Sequence, residues 1–137
     1  MNRSTQLPFF VYGTLRPGHG NHRRLLDGRT TSEIPATVQD IALYGHGVPF
    51  AVRQTRAVTT GALIAITPNS YRSTVSDLDT LEGYRPGRHS LYVRKTITAV
   101  TAEGHTKAWI YLAGDPDEAI QLGDPVPGND WELALTR

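Results

Sequence analysis

The chain has 137 residues, 39% of them hydrophobic, which is the size of one domain with a single core, and we expect one domain over residues 1–137. Fourteen basic and 13 acidic residues give a formal net charge of +1, which argues against a nucleic-acid or anionic-membrane partner and favours a small-molecule partner. The sequence lacks cysteine, which excludes disulfides and thiolate chemistry, and its apolar runs are too short for a signal peptide or a membrane span. A cytoplasmic protein is expected.

The first predicted element is a buried strand that ends in a glycine turn. After a polar leader, residues 7–12 are rich in aromatic and β-branched side chains, and Gly13 follows them. Glycine tolerates positive φ and lets a ligand approach the backbone, so amides after this strand are candidates to hold an anion such as a carboxylate. An ordinary turn at the end of a strand is the alternative. Asn21 then predicts the N-cap of a short helix.

The middle of the chain predicts two further strands and the clearest helix. β-Branched residues alternate with small or polar ones over 34–43 and 58–66, and a loop is predicted at 45–49 between these strands. Helix-start residues at 68–71 precede apolar side chains at helical spacing. This helix is expected to stop near Gly83, because glycine is favoured just after a helix C-terminus.

The last third predicts a hairpin and a tail on the surface. Residues 91–100 and 105–112 are strand-like on either side of a turn at 102–104, so the sheet should be largely antiparallel. The segment from Gly114 to Asp130 is crowded with aspartate, proline and glycine, and it is expected to wrap over the surface before Trp131 packs inward.

Glu82 is the candidate general base. It falls at the last turn of the predicted helix, where the helix dipole disfavours the anionic carboxylate and raises its pKa. It also lies beside the apolar stripe of that helix, so partial burial would raise the pKa further. An exposed glutamate next to a C-capping glycine is the structural alternative.

Other chemistries find little support in the sequence. Gly13 and Gly18 have the spacing of a phosphate loop, but His19 and Gly20 stand where that motif needs lysine followed by serine or threonine. His19 and His22 form the only close histidine pair and lack an obvious third metal ligand. No nucleophile elbow is present, so neither metal nor covalent catalysis is indicated.

Three segments together resemble the γ-glutamylcyclotransferase-like superfamily. They are residues 10–18 with Asn21 and His22, residues 78–84, and residues 92–94, and their order and separation match that family. The Tyr-Gly-Thr-Leu loop is most similar to the AIG2-like branch, which includes the γ-glutamylamine cyclotransferases and the butirosin-pathway cyclotransferase. The resemblance implies an α+β fold, a small mixed, largely antiparallel β-barrel with flanking helices.

The resemblance also implies a site and a reaction. The amides of Gly13, Thr14 and Leu15 would bind the α-carboxylate of a γ-glutamyl group, Tyr12 would shape the pocket, and Glu82 would act as acid and base. The α-amino group would attack the γ-carbonyl carbon to give 5-oxoproline and a free amine or amino acid, with no metal or organic cofactor.

Three points stay open on the sequence alone. The developing oxyanion would be stabilised by a loop amide or by the hydroxyl of Tyr92 or Tyr111. A rival hypothesis is a noncatalytic module that uses the same loop to bind a small carboxylate ligand. The basic residues Arg85 and Arg88 would either attract an acidic leaving group or serve solubility.

Overall fold

The structure, a computed structural model, describes residues 6–135. The predicted polar leader lies, apart from Gln6, outside the described residues. Within the described range the six strands are β1 (Phe9–Val11), β2 (Thr30–His46), β3 (Val48–Ile66), β4 (Tyr92–Thr101), β5 (Gly104–Ala113) and β6 (Asp124–Pro125). The α-helices in that range are α1 (Gly20–Leu25), α2 (Tyr71–Leu81), α3 (Pro116–Leu122) and α4 (Trp131–Leu135). None of these helices has the length and apolar character needed to cross a membrane.

One sheet contains all six of these strands. Their order is β3-β1-β5-β4-β2-β6, and β2 also pairs with β3, so the first five strands hydrogen-bond in a closed ring. The β1–β5 pairing is parallel and the other pairings are antiparallel. The prediction of a mixed α+β fold with a largely antiparallel sheet is therefore confirmed.

The two longest strands form one hairpin rather than two short strands joined by a loop. The predicted loop at 45–49 is wrong, because Gly45 pairs with Pro49 and only Gly47, at φ 77°, lies between the strands. The register shifts near Asp40, whose carboxylate accepts a hydrogen bond from the Arg56 amide at 2.9 Å. Both residues have positive φ, so the hairpin bends there. The part of the hairpin beyond the bend, which contains the turn at Gly47, reaches the candidate active site.

The helices differ from expectation at one cap and agree at another. The N-cap of α1 is His19, so the predicted cap at Asn21 is wrong and Asn21 lies inside the helix. The end of α2 is as predicted. Gly83 has φ 67° and its amide donates to the Thr80 carbonyl, while the Tyr84 amide donates to the Asp79 carbonyl. This pair of bonds is a Schellman motif.

The tail contains a helix and a short strand. Asp115 accepts a hydrogen bond from the Glu118 amide and Pro116 occupies the first turn, so α3 starts with a common N-terminal arrangement. Strand β6 then pairs with β2 near Tyr44. Most of residues 114–130 are exposed or half-buried, in agreement with a tail that wraps the surface, and Trp131 packs against the core.

The core occupies both sides of β1. Phe9 and Val11 pack with Leu78 of α2, and Phe10 packs with residues on the other face of the sheet. Alternate side chains of a strand point to opposite faces, so a strand buried on both faces must lie between two apolar layers. Gly61 of β3 permits this arrangement, because a Cβ there would collide with the Val11 carbonyl oxygen.

Candidate active site

A cavity of about 230 Å³ opens where β1 ends, beside the β2–β3 turn and the end of α2. All seven residues predicted to act in catalysis or binding line it. They are Tyr12, Gly13, Thr14, Leu15, Glu82, Tyr92 and Tyr111. The fold therefore brings into one place residues that are as much as 99 positions apart in the chain.

Glu82 is held at the cavity by the end of α2. It is the C-cap residue, and its amide donates to the Leu78 carbonyl at 3.0 Å. The carboxyl group is partly buried and has no hydrogen-bond or ion-pair partner among residues 6–135. Burial without a compensating partner penalises the anion and raises the pKa of Glu82 to about 7. A carboxyl with this pKa can accept and return a proton near neutral pH.

The loop after β1 is anchored through its carbonyls and one side chain. The Gly13 carbonyl accepts from the Arg16 amide at 3.0 Å, and the Thr14 carbonyl accepts from the His22 amide at 3.2 Å. The Thr14 hydroxyl accepts from the Asn21 side chain at 2.7 Å. Within residues 6–135, no acceptor is bound to the amides of Gly13, Thr14 and Leu15. These amides are donors available to a ligand in the cavity.

The reason for glycine at position 13 differs from the sequence argument. Gly13 is not among the residues with positive φ. A Cβ at this position would instead lie 2.8 Å from Cγ of Pro49, which is closer than side chains pack. Glycine is required because the β2–β3 turn approaches the loop closely.

The three cavity tyrosines donate their protons to the protein. Tyr12 donates to the Tyr111 carbonyl at 2.6 Å, and Tyr92 donates to the Pro49 carbonyl at 2.8 Å. Tyr111 donates to the Asp79 carboxylate at 2.6 Å. Burial, with the nearby Glu82 carboxyl, raises the pKa of each hydroxyl above its ordinary value. Each is therefore a neutral phenol whose only proton is already engaged, which leaves the loop amides as free donors for an oxyanion.

An ion pair not anticipated from the sequence fixes the end of α2. Arg94 binds Asp79 through two hydrogen bonds, Nε to Oδ1 at 2.9 Å and Nη2 to Oδ2 at 3.2 Å. Its guanidinium also stacks over the Trp109 ring at 4.3 Å from the centroid. Asp79 lies one turn before Glu82, so this pair joins the end of the helix that carries Glu82 to β4 and β5. The charged residues are visible in the sequence, but their pairing depends on the fold.

The C-terminal segment also contacts the loop. Arg16 binds Asp130 at 3.1 Å and lies 3.7 Å from Glu132. His19 contacts Glu132 at 2.7 Å, and His22 instead contacts Glu33 at 2.7 Å. The two histidines therefore have different partners, and residues 6–135 contain no cluster of three metal-ligating side chains.

The sheet, the cavity and its residues agree with a γ-glutamylcyclotransferase-like fold. The family model described as "Gamma-glutamyl cyclotransferase, AIG2-like" matches residues 9–133, and the chain belongs to this family. A comparison with curated proteins gave no significant match.

Solved structures show the same fold at low sequence identity. An AIG2-like protein from Mus musculus is 20% identical with a TM-score of 0.65, over 83% of this chain and 82% of that one. YkqA from Bacillus subtilis is 22% identical with a TM-score of 0.67, over 93% of this chain but only 40% of the longer protein. A γ-glutamyl cyclotransferase is 18% identical with a TM-score of 0.54, over 78% of this chain and 66% of that chain.

Proposed function

We propose that the protein is a cofactor-independent γ-glutamyl cyclotransferase that releases 5-oxoproline and an amine from a γ-glutamyl amide. One observation carries the proposal: an unpartnered Glu82 carboxyl with a pKa of about 7 lines the same cavity as the free amides of Gly13, Thr14 and Leu15. A titratable base and an anion-binding loop are the two groups that ring closure of a γ-glutamyl group requires.

The proposed reaction moves protons from one nitrogen to another. The loop amides hold the α-carboxylate, and the Glu82 carboxylate takes a proton from the α-ammonium group. The freed nitrogen bonds to the γ-carbonyl carbon, and the bond from that carbon to the amine nitrogen breaks. Glu82 returns its proton to the departing nitrogen, and the two protons lost by the α-ammonium group end on the released alkylammonium ion.

Orientation supplies much of the acceleration in this scheme. The attacking nitrogen and the γ-carbonyl carbon belong to the same flexible glutamyl chain, so fixing the carboxylate favours the folded conformer that reacts. A loop amide, rather than a tyrosine hydroxyl, would stabilise the oxyanion, because the protons of Tyr12, Tyr92 and Tyr111 are already donated to protein oxygens.

The rival is a noncatalytic module that binds a small carboxylate. In such a module an unpartnered carboxyl beside the ligand would weaken binding by like-charge repulsion whenever it is ionised. Glu82 has a clear use in the enzyme and a cost in the binder, so its presence in the cavity favours the enzyme.

The test is 5-oxoproline release from a panel of γ-glutamyl amines and γ-glutamyl amino acids by purified protein without added metal. Glu82→Gln keeps nearly the same shape but cannot carry the proton, so we expect it to lower kcat by at least about 100-fold. Glu103→Gln, in the exposed turn between β4 and β5, is the matched control and should behave like the wild type. Both variants are checked by thermal unfolding. If the wild type released no 5-oxoproline from any substrate of the panel but still bound a carboxylate ligand, the result would favour the binding module.

A further inference from the structure

The cavity lining shows which part of the substrate each region would meet. Phe10, Tyr12, Leu15 and Tyr111 are almost fully buried, whereas Val48 is 41% exposed and Leu91 is 60% exposed. The exposed pair therefore forms the mouth. If the loop amides hold the glutamyl carboxylate, the substituent on the amide nitrogen is directed toward this apolar mouth.

The charges around the mouth are one-sided. Glu82 is the charged residue that lines the cavity, and no lysine, arginine or histidine in the described part of the chain joins it there. Arg85 and Arg88, considered above as attractors of an acidic leaving group, do not line this cavity or the one beside it. Among the side chains that the structure describes, a carboxylate on the departing amine would therefore meet apolar groups and a carboxyl group but no cation in this cavity.

A second cavity of about 80 Å³ extends this mouth. Leu91 lines both cavities, and Phe50, which lines the second, stacks on Tyr92 of the first at 4.9 Å between ring centroids. The second cavity also has an apolar lining from Phe50, Ala113, Ala119 and Leu122. Its polar lining residues are the buried Ser90 and the exposed His89, Asp115 and Glu118. The two acidic residues outnumber the single histidine, so an anionic group is disfavoured there as well.

We propose that the departing amine carries an apolar, uncharged alkyl or aryl substituent that lies against Val48 and Leu91 and extends over Leu91 toward Phe50. Leu91 is then the residue that sets leaving-group specificity. The inference rests on the cyclotransferase activity proposed above and adds the chemistry of the released amine to it.

The first measurement compares two substrates of similar shape, γ-glutamyl isopropylamide and γ-glutamylalanine, which differ by a methyl group in place of a carboxylate. We expect kcat/KM to be at least about tenfold higher for the isopropylamide, because its methyl group needs no counter-charge at the mouth. A series of ethyl, propyl and butyl amides should gain about threefold in kcat/KM for each methylene that reaches the apolar surface.

The second measurement changes the mouth. Leu91→Ser should remove most of the gain in kcat/KM along the alkyl series. Leu91→Arg should raise the activity on γ-glutamylalanine relative to the isopropylamide. Ile120→Ser replaces a comparably exposed residue, 44% exposed on α3, that lines neither cavity, so it serves as the control. Circular dichroism and thermal unfolding establish that each variant is folded.

The outcomes separate this inference from the proposed function. Equal or faster turnover of γ-glutamylalanine, a flat alkyl series, or a Leu91→Ser variant that matches Ile120→Ser would overturn the assignment of an apolar leaving group while 5-oxoproline release still established the enzyme. Absence of 5-oxoproline from every substrate would overturn both.

Discussion

Glu82 shows how one residue can be useful for chemistry and costly for folding. Its carboxyl group is taken out of water without a partner, which raises its pKa from 4.5 to about 7. The protonated form is therefore favoured in the folded protein, and the ionised form that accepts a proton is the one that the fold tolerates less well. Burial is useful for the proposed chemistry because a fully solvated carboxylate would bind a proton too weakly at neutral pH.

This cost has a defined pH window. Below pH 4.5 Glu82 is protonated in both states and its contribution to stability is fully present; between pH 4.5 and about 7 that contribution falls, and above pH 7 it is lost. The free energy of unfolding falls by up to about 3 kcal/mol over this window, because each unit of pKa shift corresponds to about 1.36 kcal/mol. Glu82→Gln should thus match the wild type at pH 4 and be more stable at pH 8 by up to that amount.

Urea unfolding of the wild type and Glu82→Gln at a series of pH values measures the effect. Glu103→Gln, at an exposed position, provides the baseline for replacing an ordinary carboxyl group. A stability difference between wild type and Glu82→Gln that stays constant from pH 4 to pH 8 would contradict the raised pKa.

Among the elements, α2 makes two arginine–aspartate pairs that differ in burial. Arg94 and Asp79 have side-chain exposures of 18% and 19%, and Arg29 and Asp77 have exposures of 37% and 46%. The buried pair also includes the Tyr111 hydroxyl and the Trp109 ring, so removal of Arg94 would leave an aspartate with unpaired charge next to the site.

We expect Arg94→Met to lower the free energy of unfolding by about 2–3 kcal/mol and Arg29→Met by less than about 1 kcal/mol. Arg94→Met should also lower kcat for 5-oxoproline release, because Asp79 anchors the turn that carries Glu82. Chemical unfolding and initial rates measure the two effects. Equal losses of stability in the two variants would show that burial of the Arg94 pair is unimportant.

Local sequence signals predicted the elements that are bounded by clear start, stop or turn residues. The helix α2 was predicted through its start at 68–71 and its stop at Gly83, and the β4–β5 hairpin through its turn at 102–104. The β2–β3 turn was missed because Gly45 and Pro49 usually indicate a loop, whereas here they pair across a hairpin. Helix α3 was missed because its N-terminal residues, aspartate and proline, are also turn residues.

The sequence predicted the residues that line the cavity but not the hydrogen bonds and the ion pair among them. Glu82 and the loop stand in short motifs that are readable in the sequence, and the structure places them around one cavity. The partners of the tyrosine hydroxyls lie 32 to 99 positions away and become neighbours only when the sheet forms. Hydrogen-bond directions and the Asp79–Arg94 pair therefore required coordinates.

At the scale of the whole molecule, the segment around α4 meets the loop that follows β1. Arg16 and His19 follow the loop, and their partners Asp130 and Glu132 lie just before and within α4. The contacts join residues more than 110 positions apart. Asp130 and helix α4 do not line the cavity, but their contacts place them to stiffen the loop.

A double variant, Asp130→Asn with Glu132→Gln, removes these charges, while the amide oxygen of the introduced asparagine can still cap α4 as the Asp130 carboxylate does. We expect KM for a γ-glutamyl amide to rise about three- to tenfold with little change in kcat, because the proposed substrate contacts are the loop amides and the variant leaves Glu82 in place. Steady-state kinetics distinguish the two parameters, and Glu103→Gln with Asp117→Asn gives a control of equal charge change at exposed positions that line neither cavity. A fall in kcat with constant KM would place the effect outside the loop.

The closed ring of strands has a consequence for the order of folding. The β2–β3 and β4–β5 hairpins join neighbours in the chain, whereas the parallel contact of Phe9 with Trp109 spans 100 positions. Contacts of large sequence separation carry the greater loop-closure entropy and form late. Strand β1 leads directly into Tyr12 and Gly13, so the cavity is complete only after this last pairing. A partly folded chain would have most of its hairpins and no complete cavity, and recovery of the proposed activity during refolding would report the final closure alone.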